Sequence, residues 1–182
     1  MERCRLVFSG SGGQGVITAA IILAEAAVLH EGLVATQSQS YGPEARGGAT
    51  RSDVIISESE IYFPKVTQPN VLVCLTQEAY NKFYTITRPG GILIVDNHYV
   101  TTTKKVDAIQ RELPIYERVM KEIGKPIVLN VCMLGAVIGI TRLVKPESIM
   151  KTLRSRINPD FLDINQKALD IGMAMVKDYA MA

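Results

Sequence analysis

The run Gly10-Ser11-Gly12-Gly13-Gln14-Gly15 stands between a short apolar segment, Leu6-Val7-Phe8, and a long apolar stretch beginning at Val16. A G-x-G-x-x-G pattern in that place predicts a strand, a tight turn and a helix in immediate succession. The first glycine permits the turn, the second lets backbone approach a diphosphate, and the third lets the helix pack close to the strand. The helix N-terminus then points free N–H groups at the anion. The candidate phosphate-binding residues are therefore Gly10, Ser11, Gly12, Gly13, Gln14 and Gly15, acting through backbone. A glycine turn that only docks a helix on a sheet has the same pattern, so the loop by itself leaves both readings open.

A dinucleotide-binding fold of the nicotinamide type carries Asp or Glu at the end of its second strand, about 20 residues further on. The second strand reads Gly32-Leu33-Val34-Ala35-Thr36, and Thr36-Gln37-Ser38 takes the place of the acid. No arginine stands there for a 2′-phosphate either. Glu44 comes later and is followed by Arg46, which suits local pairing or a turn. The sequence thus argues against an ordinary NAD or NADP site.

With 182 residues, 47% of them hydrophobic, the chain is long enough for one substantial core and short for two, so residues 1–182 are read as a single domain. A net charge of +2 gives no field that argues for nucleic acid, and the absence of Trp removes the best stacking surface. Cys4, Cys74 and Cys132 are far apart, with no C-x-x-C pair, and read as reduced core residues. Neither a metal site nor an iron–sulfur cluster bound by this chain is expected from such a set. Of the two histidines, His30 ends the first helix, where a cation suits the dipole, and His98 follows a strand, where α/β proteins place ligands. No nucleophile, base and orienting group can be assembled from them. The longest apolar stretches fall short of about 20 residues and contain Glu25 and Asn130, so no membrane span is expected, and without an export signal the location reads as cytoplasmic.

Short unbroken apolar runs at Val71–Leu75 and Ile92–Val95, with helical segments between runs, predict a mostly parallel sheet covered on both faces, a three-layer α/β/α arrangement of Rossmann-like type. Thr50–Ser57 reads as a strand, with Ile61-Tyr62-Phe63 as a hairpin arm and the antiparallel member. Ile127-Val128-Leu129 reads as strand-like. Helices are expected at Glu78 to about Thr87, Ile115–Ile123, Asn130–Thr141, from Pro146, and after Asn158-Pro159 as N-cap and first residue. In the last helix Phe161, Ile164, Ala168, Ile171 and Met175 form an apolar stripe. The first helix is apolar nearly all round, which predicts either a central position in the domain or cover by another chain.

The glycine loop, together with Gln39-Ser40-Tyr41-Gly42-Pro43-Glu44-Ala45-Arg46-Gly47-Gly48, resembles the gamma subunit of 2-oxoacid:ferredoxin oxidoreductases over essentially the whole chain. Lys65-Val66 and the late Gly-rich helix with Asn130 and Gly135 fit that family, and the second motif is most similar to its 2-oxoglutarate branch. The resemblance implies a complex that oxidatively decarboxylates a 2-oxoacid, reduces ferredoxin and delivers the acyl group to coenzyme A. Thiamine diphosphate with Mg, and 4Fe-4S clusters, are implied for the catalytic and ferredoxin-like partner subunits, leaving this chain without clusters and inactive alone. Its implied part is to help bind coenzyme A or to close the active site. In that role Gly10–Gly15 receive phosphate, Arg46 adds a cationic fork oriented by Glu44, Ser40 and Tyr41 offer hydroxyls, and Gly42, Pro43 and Gly47 shape the loop. An interface loop that docks on the catalytic subunits remains an equal reading of the second motif, and a nucleotide-binding regulator or pure scaffold is the alternative for the chain. Without partners, the chain is expected to self-associate through an apolar patch of the first helix and residues 41–47.

Overall fold

The computed structural model describes residues 3–40 and 48–179. Six strands form one sheet: β1 (Cys4–Gly10), β2 (Val34–Gln39), β3 (Thr50–Ser57), β4 (Val71–Cys74), β5 (Gly91–Asp96) and β6 (Ala108–Leu113), in the order β2-β3-β1-β4-β5-β6. β1, β4, β5 and β6 pair in parallel, while β3 runs antiparallel to both of its neighbours, β1 and β2. The antiparallel member is therefore β3. The expected hairpin arm at Ile61–Phe63 is irregular chain instead.

The central strands read as unbroken apolar runs because both faces are covered. Leu6, Phe8, Val54, Ile56, Val73 and Ile94 enter one core, which they share with α1 (Val16–Glu31), α3 (Ile115–Glu122), α4 (Leu129–Thr141), α5 (Pro146–Arg154) and α6 (Leu162–Met175). Val7, Ile55, Leu72, Leu93 and Val95 enter the other, which among the described residues is closed by α2 (Gln77–Phe83), the 3₁₀ turn Tyr84–Ile86 and irregular segments, through Tyr80, Phe83, Val66 and Val100. The three layers are thus lopsided.

Alanine-rich α1 has high helix propensity and needs no polar face, because its circumference is divided between the sheet and the C-terminal helices. Of its apolar side chains Val28 and Leu29 are exposed at the end far from the glycine loop, and Ile17 and Ile21, nearer the loop, are partly exposed. Residues 41–47, the other part of the expected apolar patch, lie outside the described residues. The helix stops at Gly32, whose φ of 67° lets its N–H bond the Ala27 carbonyl.

One other expectation fails and one strand was not expected, each for a local reason. Pro126–Val128 is a turn of 3₁₀-helix that feeds α4, with Ile127 exposed, because Pro126 fixes φ at a helical start instead of joining a ladder. β6, Ala-Ile-Gln-Arg-Glu-Leu, carries no apolar run to announce it: it is an edge strand with one sheet neighbour. Pro146 and Asn158-Pro159 start their helices as expected, the Asn158 side chain accepting the Asp160 N–H at 3.0 Å.

Candidate functional site

β1 delivers the chain to the carboxyl end of the parallel strands, and Gly10 turns it. A Cβ on Gly10 would lie 2.5 Å from Gln14 Oε1, so a side chain there would displace the Gln14 amide. Gln14 closes that turn: its Oε1 accepts the Ser11 N–H at 2.8 Å and its Nε2 donates to the Leu75 carbonyl at 3.3 Å. Ser11 therefore spends its N–H inside the loop. Gly15, at φ 73°, is the N-cap of α1, and a Cβ there would run into the Asn130 side chain at 2.7 Å. Gly12 and Gly13 differ from both, since no atom lies within 4 Å of a Cβ built on either. Both are exposed.

The N-terminus of α1 has no side-chain cap and no acidic residue in its first turn. By contrast, Thr76 caps α2 by accepting the Ala79 N–H at 3.2 Å, and Glu78 lies in its first turn. The first N–H groups of a helix have no intrahelical partner and carry the positive end of the dipole, and among the described residues no side chain caps this end of α1. It faces a cleft of about 370 Å³ lined by Ser11, Gly12, Gly13, Gly15 and, from α1, Val16 to Thr18.

The opposite wall is Thr50, paired with Gly10 across the β1–β3 ladder. Sequence reasoning missed Thr50, because nothing in the pattern announces that β3 slips between β1 and β2. That insertion also removes the Thr36–Ser38 segment from the place of a ribose acid, since β2 lies two strands from β1, roughly 10 Å away. Thr18 links the cleft to a smaller apolar hollow of about 180 Å³ beside Ile22, Ile127, Val131 and Phe161.

Ser40 is exposed just after β2, and its N–H bonds the Arg51 carbonyl at 3.2 Å. The chain leaves this edge at Ser40 and returns to it at Gly48, two residues before Thr50, so the ends of the second motif are tied beside the glycine loop. Tyr41, Gly42, Pro43, Glu44, Arg46 and Gly47 lie outside the described residues.

His98 stands two strands from β1, beyond the end of β5, and its ring stacks on Tyr116 at 4.2 Å between centroids with its edge against Tyr99. The neighbouring Asp96 carboxylate accepts the N–H groups of His98 and Tyr116 at 3.1 and 3.0 Å. Burial pushes this carboxyl above the usual range against those bonds. The cluster braces the start of α3 and presents no nucleophile. Among the described residues no three His, Cys, Asp or Glu side chains gather to hold a metal ion, and no helix is long and apolar enough to cross a membrane.

The sequence pattern of the pyruvate ferredoxin/flavodoxin oxidoreductase family matches residues 5–175. The chain belongs to that family. This oxidoreductase-family chain is 42% identical over 178 residues to the 2-oxoglutarate synthase subunit KorC of Methanocaldococcus jannaschii, which covers 97% of the chain and 95% of the relative. Among solved structures it is similar to a keto/oxoacid ferredoxin oxidoreductase gamma subunit from Geobacter sulfurreducens, with a TM-score of 0.85 and 40% identity over 94% of this chain and 97% of that one. It shares its fold with the 2-oxoglutarate:ferredoxin oxidoreductase of Magnetococcus marinus, whose structure holds 2-oxoglutarate, coenzyme A and succinyl-CoA. There the TM-score is 0.87 at 20% identity, and the chain spans 32% of the larger polypeptide. The gamma-subunit resemblance and the mostly parallel fold predicted from the apolar runs are both met.

Proposed function

We propose that this chain is the single-domain, cluster-free gamma-type subunit of a cytoplasmic 2-oxoglutarate:ferredoxin oxidoreductase, and that its glycine loop receives the diphosphate of coenzyme A. The complex decarboxylates the 2-oxoacid oxidatively, passes electrons to ferredoxin and releases the acyl group as a coenzyme A thioester. The likeness to KorC over nearly the full length of both chains supports the 2-oxoglutarate branch. Thiamine diphosphate and iron–sulfur chemistry fall to partner subunits. Their demands do not fit the donors here, where burial pushes the Cys4 thiol up to about 11 and those of Cys74 and Cys132 to about 12.

The observation that carries the ligand reading is the uncapped N-terminus of α1 above two glycines with open space over them. Backbone N–H groups and a helix dipole suit a diphosphate. The apolar hollow that adjoins the cleft at Thr18 suits an uncharged arm attached to such a head. To Ser40, Tyr41, Glu44 and Arg46 of the second motif this reading gives either ligand contact or closure over the ligand.

Gln14 favours a second reading, in which the loop is only a structural turn, since its side chain already consumes the Ser11 N–H. One variant separates the two. Gly12→Val places branched carbons in the open cleft at a residue whose φ is not left-handed, so the fold tolerates it. In the assembled complex the variant should raise KM for coenzyme A about tenfold or more while leaving KM for 2-oxoglutarate unchanged. An unchanged coenzyme A dependence in the assembled variant assigns the loop to structure.

A further inference from the structure

At the opposite end of the sheet from the glycine loop, the starts of β1, β4 and β5 surround an open basin of about 590 Å³. Its walls carry Arg3, Arg5, Lys65 and Arg88 and no acidic residue. In a chain whose net charge is only +2, this is a local concentration. Arg3 donates to the Glu60 carbonyl at 2.8 Å, whereas among the described residues the side chains of Arg5, Lys65 and Arg88 make no hydrogen bond or ion pair. Arg5 and Arg88 line the same basin, and the fields of both reach the Cys4 thiol.

Beside these cations stand two aromatic side chains that the core does not use. Tyr62 is 85% exposed and Phe63, on the basin wall, 61%. The segment that bears them is pinned: buried Val66 donates its N–H to Asp53 at 3.2 Å, and its carbonyl accepts from Arg51, itself bonded twice to Asp53 at 2.6 and 3.0 Å. Tyr62 Oη is held by the Glu60 carboxylate at 2.7 Å. An anchored segment that holds large rings in water has no folding purpose for them. Pre-ordered aromatic and arginine side chains are what protein interfaces use as anchors.

We infer that the Arg3, Arg5, Lys65 and Arg88 basin, with Phe63 and Tyr62, docks an acidic segment of a partner subunit that seats Phe63 in an apolar socket. The inference rests on the subunit reading above and names the chemistry of the partner. A polypeptide fits better than a small phosphate compound. The basin is wide, no helix N-terminus points into it, Lys65 and Arg88 are exposed, and the rings project outward instead of enclosing a ligand. Arg5, Lys65 and Arg88, with no acidic residue on the basin wall and the nearby Glu60 carboxylate bonded by Tyr62, favour carboxylates and reject a basic surface. Docking at this end leaves the cleft at α1 accessible.

The test uses the co-purified complex. Arg5→Glu/Arg88→Glu should weaken assembly about tenfold or more at 0.15 M salt, read by size exclusion and mass photometry, and Phe63→Ala should weaken it about tenfold. Wild-type assembly should loosen as salt rises. The isolated variants should keep the wild-type melting temperature; if charge reversal unfolds the chain, Arg5→Gln/Arg88→Gln replaces it with the same expected direction. A photo-cross-linker on Lys65→Cys should capture an Asp- and Glu-rich segment of a partner. Wild-type affinity in both the charge and the Phe63 variants, or capture of a basic segment, overturns the inference. So does tight binding of inorganic phosphate or ADP that the charge variants abolish while assembly is unchanged. A wild-type chain that joins no partner overturns the subunit reading and the docking surface together. Altered assembly with an unchanged KM for coenzyme A per assembled complex separates this surface from the glycine loop.

Discussion

Gly12 and Gly172 are the same residue under opposite constraints. A Cβ on Gly172 of α6 would overlap the Cys132 carbonyl oxygen of α4 and lie 2.8 Å from the Ala136 nitrogen, and one on Gly135 would overlap the Leu169 carbonyl oxygen. Here two helices meet backbone to backbone, and neither can retreat without opening the core. Gly172→Ala should therefore cost about 1–3 kcal/mol of stability, as overpacking does, read as a lower urea midpoint at unchanged slope. Gly12→Ala, in open space at an ordinary φ, should stay within about 0.5 kcal/mol of wild type. Gly13→Ala should fall between them, because its φ of 88° strains any side chain even where there is room. The glycines of α4 were legible as points of close approach, but their partner was not. The apolar stripe through Phe161 and Met175 takes in the buried Ala168 and Ile171 but misses Asn165, Leu169 and Gly172, the last because hydrophobic periodicity cannot register a residue that packs by having no side chain.

At the scale of elements, the helices are tied to one another by carboxylates that titrate. Glu31, at the end of α1, accepts the Ser148 hydroxyl at 2.6 Å and the Lys145 N–H at 2.9 Å, so it serves α5 as a borrowed N-terminal cap that Lys145 cannot supply. These bonds hold its carboxyl below the usual range, as the Arg156 guanidinium does for Glu25. A depressed carboxyl stabilises the fold above its unfolded pKa and loses that contribution as pH falls through the folded value. Glu31→Gln should thus lower the urea midpoint at pH 7, and the difference from wild type should vanish as pH falls through the folded value of Glu31. Asp96, raised by burial, works the other way: its cost appears as pH rises through its folded value. Elements with strong internal signals were legible, including α1, β4, β5 and the proline-started helices. Edge strand β6 was not, because one sheet neighbour demands little apolar sequence. Ile61–Phe63 misled for the converse reason, since Ile61 packs against the core while Tyr62 and Phe63 are spent on the surface.

The whole molecule keeps its chemistry-bearing groups apart. Cys4 opens β1, Cys74 closes β4 level with Ser9, and Cys132 lies in α4, so the first two stand about 15 Å apart along the strands. The thiolate is the species that binds iron, and burial keeps all three thiols protonated at neutral pH, the pKa values standing at about 11 to 12. The cysteine count already argued against a cluster, and the fold adds separation and protonation, neither of which spacing in the sequence could reveal. The glycine loop was legible down to its strand and helix; the antiparallel β3 that turns its wall into Thr50 was not, because strand order is decided by long-range pairing. The isolated folded chain should therefore react with a thiol reagent at neutral pH only at the rate of its unfolding for Cys74 and Cys132, and slowly at half-buried Cys4. Anaerobic incubation with iron and sulfide should give no visible cluster absorption, and 2-oxoglutarate should bleach no acceptor dye. Stoichiometric iron with a charge-transfer band, or turnover by the chain alone, would contradict the assignment of redox chemistry to its partners.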